Sequence, residues 1–320
     1  MTHPFLYYRA TSTDDAAQRL EDAGAVPLGG GTDLLVTVAE QLVQPDLLVD
    51  LRTVPHGDVI EEIEGGGLRI GAAARVEEIA RNALVRERFP LLSQACEVVG
   101  TPALRHMGTL GGNLCQRPRC WYYRQNIPCL KNGGSSCPAA HGENQYLAIL
   151  DGGPCYIVHP SDPAVALTAL DARVELAAVG GRRTVPIAEF YVLPSERMDH
   201  ETILTPGEFV SAITIPPESR GGVQQYHKAM QRAAWDFALV SIAACKRVNG
   251  DVRIVLGGVA PRPWRVSSSV EEDVSSGGLD DDTISTLAER ALYDAKPLSK
   301  NAYKVELAAS LLRQAMGELA

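Results

Sequence analysis

The stretch that most constrains this chain runs from Gly108 to Asp162: GTLGGNLCQRPRCWYYRQNIPCLKNGGSSCPAAHGENQYLAILDGGPCYIVHPSD. A glycine turn opens it, five of the chain's seven cysteines lie inside it, and a Ser-Asp pair closes it. Cys120, Cys129, Cys137 and Cys155 are separated by 8, 7 and 17 residues, among Pro118, Pro128, Pro138, Pro154 and two Gly-Gly pairs. That composition reads as a long loop, and a long loop in a compact protein needs a functional reason or a staple. Four thiolates around one metal or cluster would be such a staple. The spacings match neither the bacterial nor the plant-type ferredoxin run, and no C-x2-C pair supports a zinc ribbon. On spacing alone, iron–sulfur, zinc and free thiols all stay open. An odd cysteine count argues against a complete disulfide framework. Cys115, just after the glycine turn, reads as packing, and Cys96 and Cys245, in apolar surroundings, read as small buried hydrophobes.

The 320 residues leave room for a large core and two domains. Residues 13–23 place Ala16, Leu20 and Ala23 on one helical face, and Gly24 suits the stop. Val26 to Leu28 reads as a short strand, Gly29-Gly30-Gly31-Thr32 as a tight turn, 33–42 as a helix and 46–51 as another strand. Residues 1–55 are thus expected to form a small α/β unit with its glycine turn at a strand end. Without Cβ atoms such a turn lets the backbone approach a ligand, with successive N–H groups facing phosphate oxygens. It is not a GxGxxG fingerprint, so a Rossmann nicotinamide site is not supported. Gly65-Gly66-Gly67, between IEEIE and LRIGA, reads only as a hairpin turn.

Residues 75–100 read as two helical pieces broken near Pro90. The second glycine turn follows, with Gly108, Gly111 and Gly112 around Thr109 and Asn113 next to it. Two such turns in one chain suit a dinucleotide. Ser161-Asp162 precedes Pro163 and a helical pattern, which is an N-cap signature. ARVELAAVGGRRTVPIAEF (172–190) reads as a hairpin, and Pro216 to Gly222 as a linker. The boundaries expected are 1–218, with an insertion at 115–155, and 222–320. The second unit shows three strand patterns followed by helices in which Ile284, Leu287, Ala288 and Ala291 share a face, an α+β layout.

The net charge of −9 builds no basic face, so a nucleic-acid partner is not expected. Asp280-Asp281-Asp282 reads as a solvated helix start. The N-terminal residues show no apolar signal-peptide core, and no apolar run is long enough to span a bilayer. The expected compartment is the cytoplasm, or the periplasm if a partner's twin-Arg signal carries the chain out. His106 and His159 flank the glycine and Ser-Asp motifs and read as hydrogen-bonding scaffold residues rather than bases.

GGGTDLL (29–35), TLGGN (109–113), HPSD (159–162) and the late phrase KAMQRAAWDFALVSIA (228–243) occur in this order. Together they resemble the FAD-binding medium subunit of molybdenum hydroxylases, the xanthine dehydrogenase and carbon monoxide dehydrogenase group. The resemblance covers essentially the whole chain, to GGVAPRPWR at 257–265. It implies a two-subdomain FAD-binding domain of the vanillyl-alcohol-oxidase type (1–55 and 56–218) and a small C-terminal domain of a three-stranded antiparallel sheet with helices. It also implies that Val26, Leu28, Gly29, Gly30, Gly31, Thr32, Asp33, Leu34, His106, Thr109, Gly112, Asn113, Ser161 and Asp162 hold FAD. Lys228 would lie near the ring, where a lysine stabilises negative charge on the reduced flavin.

The cysteine segment is similar to that of flavin subunits of bacterial periplasmic aldehyde oxidoreductases, which carry an additional [4Fe–4S] cluster. The matching pieces are QRPRC ending at Cys120, Pro128-Cys129, Ser136-Cys137 and Pro154-Cys155, so these four cysteines are the implied ligands. The flavin subunit of 4-hydroxybenzoyl-CoA reductase is the nearest alternative, with differently spaced ligands. The implied partners are a small [2Fe–2S] subunit, a large molybdenum-cofactor subunit and an external electron acceptor, with substrate chemistry on another chain. A zinc-stapled binding module and a free-standing flavoenzyme are the rival classes.

Overall fold

The computed structural model describes residues 3–232 and 235–320, so Ala233 and Ala234 of the late phrase lie outside it. Three sheets organise the chain. β1 (Leu6–Arg9), β2 (Ala25–Leu28) and β3 (Leu47–Asp50) make a parallel sheet in the order β1-β3-β2. Helices Thr13–Leu20 and Leu34–Ala39 connect them. The first is capped by Ser12, whose hydroxyl accepts from the Asp15 N–H at 3.0 Å, and it buries Ala16, Ala17 and Leu20. These pack with Val49 against Ala177 and Phe209 of the next sheet, so the small unit leans on its neighbour.

β4 (Ile60–Glu62), β5 (Leu68–Gly71), β6 (Arg173–Ala178), β7 (Gly181–Pro186) and β8 (Phe209–Ile215) form an antiparallel sheet in the order β4-β5-β8-β6-β7. Both expected hairpins form. The helical region before the second glycine turn has three pieces rather than two: Val76–Arg81, Ala83–Arg88 and Pro90–Glu97. The extra break is at Asn82, which is extended and whose side chain accepts from the Val85 N–H at 3.2 Å, starting a new helix.

β9 (Val223–Ala229), β10 (Val240–Lys246) and β11 (Val252–Gly257) are the three strands expected in the second unit. A two-residue β12 (Trp264–Arg265) joins them, giving the antiparallel order β12-β11-β10-β9. Helices Asp281–Ala291 and Tyr303–Leu319 cover it, with Ile284, Leu287, Ala288, Ala291 and Leu312 in its core. The helix Asp162–Ala169 is buried along its whole length and shares a core with Ala243, Cys245 and Val255 of this sheet and Leu91 and Leu92 of the preceding helices. It is the hub between the second and third sheets. No helix among the described residues is long and apolar enough to cross a membrane.

Residues 115–155 are largely irregular, with a short helix at Trp121–Arg124 and a single 3-10 turn at Pro138–Ala140. Their second half is bound to the C-terminal helices. Asn144 accepts from the Lys300 N–H at 2.9 Å, and Asn301 donates to the Leu147 and Ala148 carbonyls. Lys304, fully buried, donates to the carbonyls of Tyr146 at 3.2 Å, Leu147 at 3.0 Å and Gly258 at 2.5 Å. Three acceptors match the three ammonium protons, yet burial lowers its pKa to about 7.

Because the folded pKa lies below the ordinary lysine value near ~10.4, the unfolded chain binds more protons between the two, and stability should rise with pH in that window. Lys304→Met should abolish this rise, by up to about 1.4 kcal/mol per pH unit for one proton. It should also lower stability at pH 9 by a few kcal/mol, since it strands carbonyls that cost about 1–3 kcal/mol each. Thermal unfolding of both proteins from pH 7 to 9 checks it, and parallel pH profiles would refute it.

Candidate functional site

The first glycine turn leaves the C-terminal end of β2 and the second precedes the short helix Leu110–Leu114; the two are packed against each other. A Cβ on Gly30 would lie 1.9 Å from the Met107 carbonyl oxygen and 2.8 Å from the Gly108 Cα, so only glycine allows the contact. The turns do different work. The second is fastened to the large sheet's edge: Leu110 N–H donates to the Ala74 carbonyl and Gly111 N–H to the Ala72 carbonyl, both at 2.8 Å. In the first, among the described residues, no N–H from Gly30 to Asp33 donates to another residue. Four successive donors without partners make an anion cradle.

Two cavities meet at the turns. One, of about 320 Å³, is lined by Val26, Gly29, Gly30, Gly31, Thr32, Asp33, Leu34, Thr109, Gly112, Asn113, Asp162 and Lys228 among others. The other, of about 350 Å³, lies between the small sheet and β8 and is lined by His56, Arg69, Val210 and again Gly29, Thr109 and Gly112. A ligand running from one to the other crosses the cradle at its middle, as a dinucleotide with a central pyrophosphate requires. Leu28 is buried at the strand end and His106 is exposed on the helix Pro102–Met107; neither is among the residues lining these cavities. Val26, two residues earlier on the same strand face and partly buried, lines the cleft, whereas Leu28 is fully buried.

Ser161 caps the helix Asp162–Ala169, its hydroxyl accepting from the Ala164 N–H at 3.0 Å and bonding the Asn113 side chain at 2.5 Å. The cap is therefore also the link between the second turn and the hub helix. Pro163 sits at the helix's second position and Asp162 at its first. Asp162 accepts from the Lys228 ammonium at 2.8 Å and the Tyr226 hydroxyl at 2.7 Å, all three side chains buried. Burial pushes the Asp162 carboxyl up, and Lys228 and Tyr226 pull it back toward the ionised form. Lys228 also donates to the Val98 carbonyl at 3.0 Å. His159 accepts from the Ser161 N–H at Nδ1 and so donates from Nε2 to the Leu114 carbonyl at 3.2 Å; burial lowers its pKa to about 3, leaving a neutral scaffold residue.

Asp33 does not cap its helix. Its carboxylate accepts from the Arg117 N–H and the Arg124 guanidinium, both at 2.7 Å, and pairs with Arg119 at 3.0 Å. The start of the insertion is thereby tied to the first glycine turn. Arg117, Arg119, Trp235, Asp236 and Phe237 line the cleft and were not singled out from the sequence. QRPRC and KAMQRAAWDF held them, but those phrases pointed to Cys120 and Lys228 alone. Val99 and Gly100, also in the wall, carry no signal beyond an apolar helix end.

None of the seven cysteines is disulfide-bonded, and no group of three or more potential ligands among the described residues is gathered as a single metal ion requires. The four candidate sulfurs are nevertheless neighbours. Cys120 feels the charges of Cys129 and Cys137, and Cys137 is hydrogen-bonded to Cys155. That bond, with N–H donors from Tyr156, Ala139 and Ala140, lowers the Cys137 thiol to about 6, while Cys155 is pushed up as the proton-holding partner. Cys120 accepts from the N–H groups of Tyr123 and Tyr122, and Cys155 from that of Ile157. Cys115 lies at the cleft wall, its thiol pushed up to about 12 by burial.

The comparisons agree with this geometry. Residues 3–218 match the FAD-binding domain in molybdopterin dehydrogenase, and residues 225–319 the CO dehydrogenase flavoprotein C-terminal domain. The chain therefore belongs to the FAD-binding medium subunits of the molybdenum hydroxylase family, which are oxidoreductase subunits. It is 36% identical to the aldehyde oxidoreductase FAD-binding subunit PaoB of Escherichia coli K12, over 98% of each chain. It is 27% identical to the glyceraldehyde dehydrogenase medium chain of Sulfolobus acidocaldarius, over 99% of this chain and 98% of that one. Its fold matches the carbon monoxide dehydrogenase structure from Hydrogenophaga pseudoflava with a TM-score of 0.76 at 22% identity, covering 100% of this chain and 98% of that one.

Gly30 and Gly112 separate fold from ligand. A Cβ on Gly112 would meet only the Thr109 hydroxyl, at 3.0 Å, and projects no backbone clash. Gly112→Val should keep its unfolding midpoint without flavin but retain less than a tenth of the bound FAD. Gly30→Ala should lose both, because the turns can no longer touch. Flavin absorbance per chain and thermal unfolding of the flavin-stripped proteins measure this; full FAD occupancy in Gly112→Val would refute it.

Proposed function

We propose that this chain is the FAD and [4Fe–4S] electron-transfer subunit of a heterotrimeric, molybdenum-containing aldehyde oxidoreductase. In this reading a large partner oxidises the aldehyde at its molybdenum cofactor, and a small [2Fe–2S] partner delivers the electrons to this chain. The observation that carries it is the combination of the cradle between two cavities with full-length similarity to an aldehyde oxidoreductase FAD-binding subunit. The four N–H groups from Gly30 to Asp33 would take the pyrophosphate, and Lys228 and Asp162 would face the ring side of the cleft. Bound FAD accepts single electrons and releases them one or two at a time. The chain's own part is to hold it: Thr109, Gly112 and Asn113 wall the crossing point, Ser161 fixes Asn113, and Asp162 holds the Lys228 side chain at the site.

The proposed cluster ligands are Cys120, Cys129, Cys137 and Cys155. Backbone N–H groups already aimed at three of these sulfurs are what thiolates on an iron–sulfur cluster need, since such bonds stabilise sulfur charge and set potential. The alternative in another class is the zinc-stapled binding module. It would need the four sulfurs in a tetrahedral set around one ion, and metal analysis separates it from the cluster.

The test is the copurified native complex, with cofactors counted per subunit. One FAD and about four irons on this chain are expected for the cluster type. Cys129→Ser should lower iron by more than half and open residues 126–143 to protease, while 144–150, held by Asn301 and Lys304, stay protected and FAD stays bound. Unchanged iron would refute the ligand set; zinc without flavin would refute the redox reading.

A further inference from the structure

A third cavity, of about 280 Å³, lies between the insertion and the β9–β10 loop. Asp162 lines both it and the flavin cleft, whereas Lys228 lines only the cleft and Ser241 only the third cavity. In the pairing of β9 with β10, Lys228 lies opposite Ser241 and Tyr226 opposite Ala243. Side chains alternate along a strand, so Tyr226, Lys228 and Ser241 share the face that packs on the hub helix, whose first residue is Asp162. The Tyr226 hydroxyl donates to Asp162 Oδ1 at 2.7 Å and the Lys228 ammonium to Asp162 Oδ2 at 2.8 Å. The Ser241 hydroxyl adjoins that of Tyr226 without completing a hydrogen bond, which leaves its Oγ buried and unpartnered among the described residues.

Both ends of this chain of groups are open. Two more residues of the third cavity, Arg119 and Gln145, carry buried polar atoms without partners, Nε and Oε1. A bare donor, a bare acceptor and a bare hydroxyl are costly, and water satisfies all three. A water takes about 30 Å³ in the liquid, so the cavity has room for several. Glu143, Gln231 and Arg232, exposed residues of its lining, lead out to solvent. Cys120 is in the same lining, but a thiolate on iron has no proton to pass. At the other end the Lys228 ammonium is buried and has three protons. Among the described residues it finds two acceptors, Asp162 and the Val98 carbonyl at 3.0 Å. The third proton is left for an occupant of the cleft. Burial and the nearby Asp162 charge push the Tyr226 hydroxyl well up, so at rest it keeps its proton. Cys96, on the helix Pro90–Glu97, is the other titratable group facing Asp162 and Tyr226; burial pushes its thiol up and it stays neutral.

We propose that Ser241, Tyr226, Asp162 and Lys228 form a proton relay from water in the third cavity to the flavin cleft. The inference rests on the redox reading above. Electrons delivered by iron–sulfur clusters bring no protons, so each two-electron reduction of bound FAD, which forms two N–H bonds, draws two protons from solvent. Lys228 Nζ gives one up at the cleft and regains it from Asp162. The Asp162 carboxyl takes its proton from the Tyr226 hydroxyl on Oδ1 and turns to present it to Nζ. Tyr226 is refilled from cavity water by way of Ser241 Oγ. Two passes match the two electrons, and each residue ends as it began. Lys228 is the catalytic residue of this relay; Asp162, Tyr226 and Ser241 act through it.

The test uses the intact complex, with Tyr226→Phe and Ser241→Ala, each of which removes one hydroxyl and leaves the pairing of Lys228 with Asp162. The oxidised complexes are mixed rapidly with titanium(III) citrate, which needs no aldehyde. Flavin bleaching should be at least tenfold slower in Tyr226→Phe and at least threefold slower in Ser241→Ala, with a larger solvent deuterium isotope effect in both. Reduction of the clusters, which takes up no proton, should keep its rate. FAD content and the pH slope of the flavin's equilibrium potential should also match wild type, because a relay alters the path and not its end points; a merely structural role would move them. Flavin bleaching at the wild-type rate in both variants would overturn the relay and leave the redox reading standing. A native complex without FAD on this chain would overturn both.

Discussion

The structure depends on the contact between two glycine turns that leaves one of them without hydrogen-bond partners. Gly30 lies under the Met107 carbonyl at a distance no side chain permits. The second turn can be held in place because its N–H groups are taken up by Ala72 and Ala74 at the edge of the large sheet. The first turn is then positioned by packing, by its carbonyls and by the Asp33 carboxylate, and its own N–H groups stay free. Unpaired amides that are not fully solvated weaken the unliganded fold, by about 1–3 kcal/mol for each that is fully buried. A ligand that satisfies them stabilises the chain by linkage. Strength of FAD binding and weakness of the empty cleft are two sides of one arrangement.

Two carboxylates fix the ends of this cleft. Asp162, at the first position of the hub helix, gains from the helix N-terminus, but burial works against its charge, and Lys228 and Tyr226 restore it. The pair joins the third sheet, through β9, to the helix shared by the second and third sheets. Asp33 does the corresponding work at the other side, between the first turn and Arg117, Arg119 and Arg124 of the insertion. A residue placed where a helix cap belongs is thus used as an anchor for a distant loop. Each carboxylate touches the cleft and ties a separate part of the chain to it, so cofactor site and tertiary assembly rest on the same charges.

The local patterns carried most of the fold. Glycine pairs placed both hairpins, Ser161 marked the hub helix, and the spacing of Ile284, Leu287, Ala288 and Ala291 named a buried face. What escaped has physical reasons. β12 is two residues long and has no periodicity to read. The break at Asn82 is a cap inside an otherwise helical pattern, visible only when its side chain is seen to accept from Val85. Arg119, Trp235 and Phe237 reach the cleft through tertiary placement of loops, which no local period encodes. The unequal roles of the two glycine turns were equally hidden, because their sequences look alike and their hydrogen-bond partners do not.

The insertion is fastened at its ends to different bodies. Its start is bound to Asp33 and, through Arg117 and Lys131, to Glu201. Its end is bound to the C-terminal helices through Asn144, Asn301 and Lys304. A staple is therefore not what keeps these ends in place. Lys131, beside Cys129, is the last of these early ties; around Cys137 there are fewer, and there the proposed ligation would supply order that protein contacts do not. The same segment contributes Arg117 and Arg119 to the flavin cleft and Trp121, Tyr122 and Tyr146 to the adjoining cavity. Any change in sulfur ligation that moved Cys120 would move Arg119 and Trp121, its immediate neighbours, and with them a wall of both sites. Ligation at the proposed sulfurs would then act on the flavin cleft through its shape, by fixing the loop that walls it.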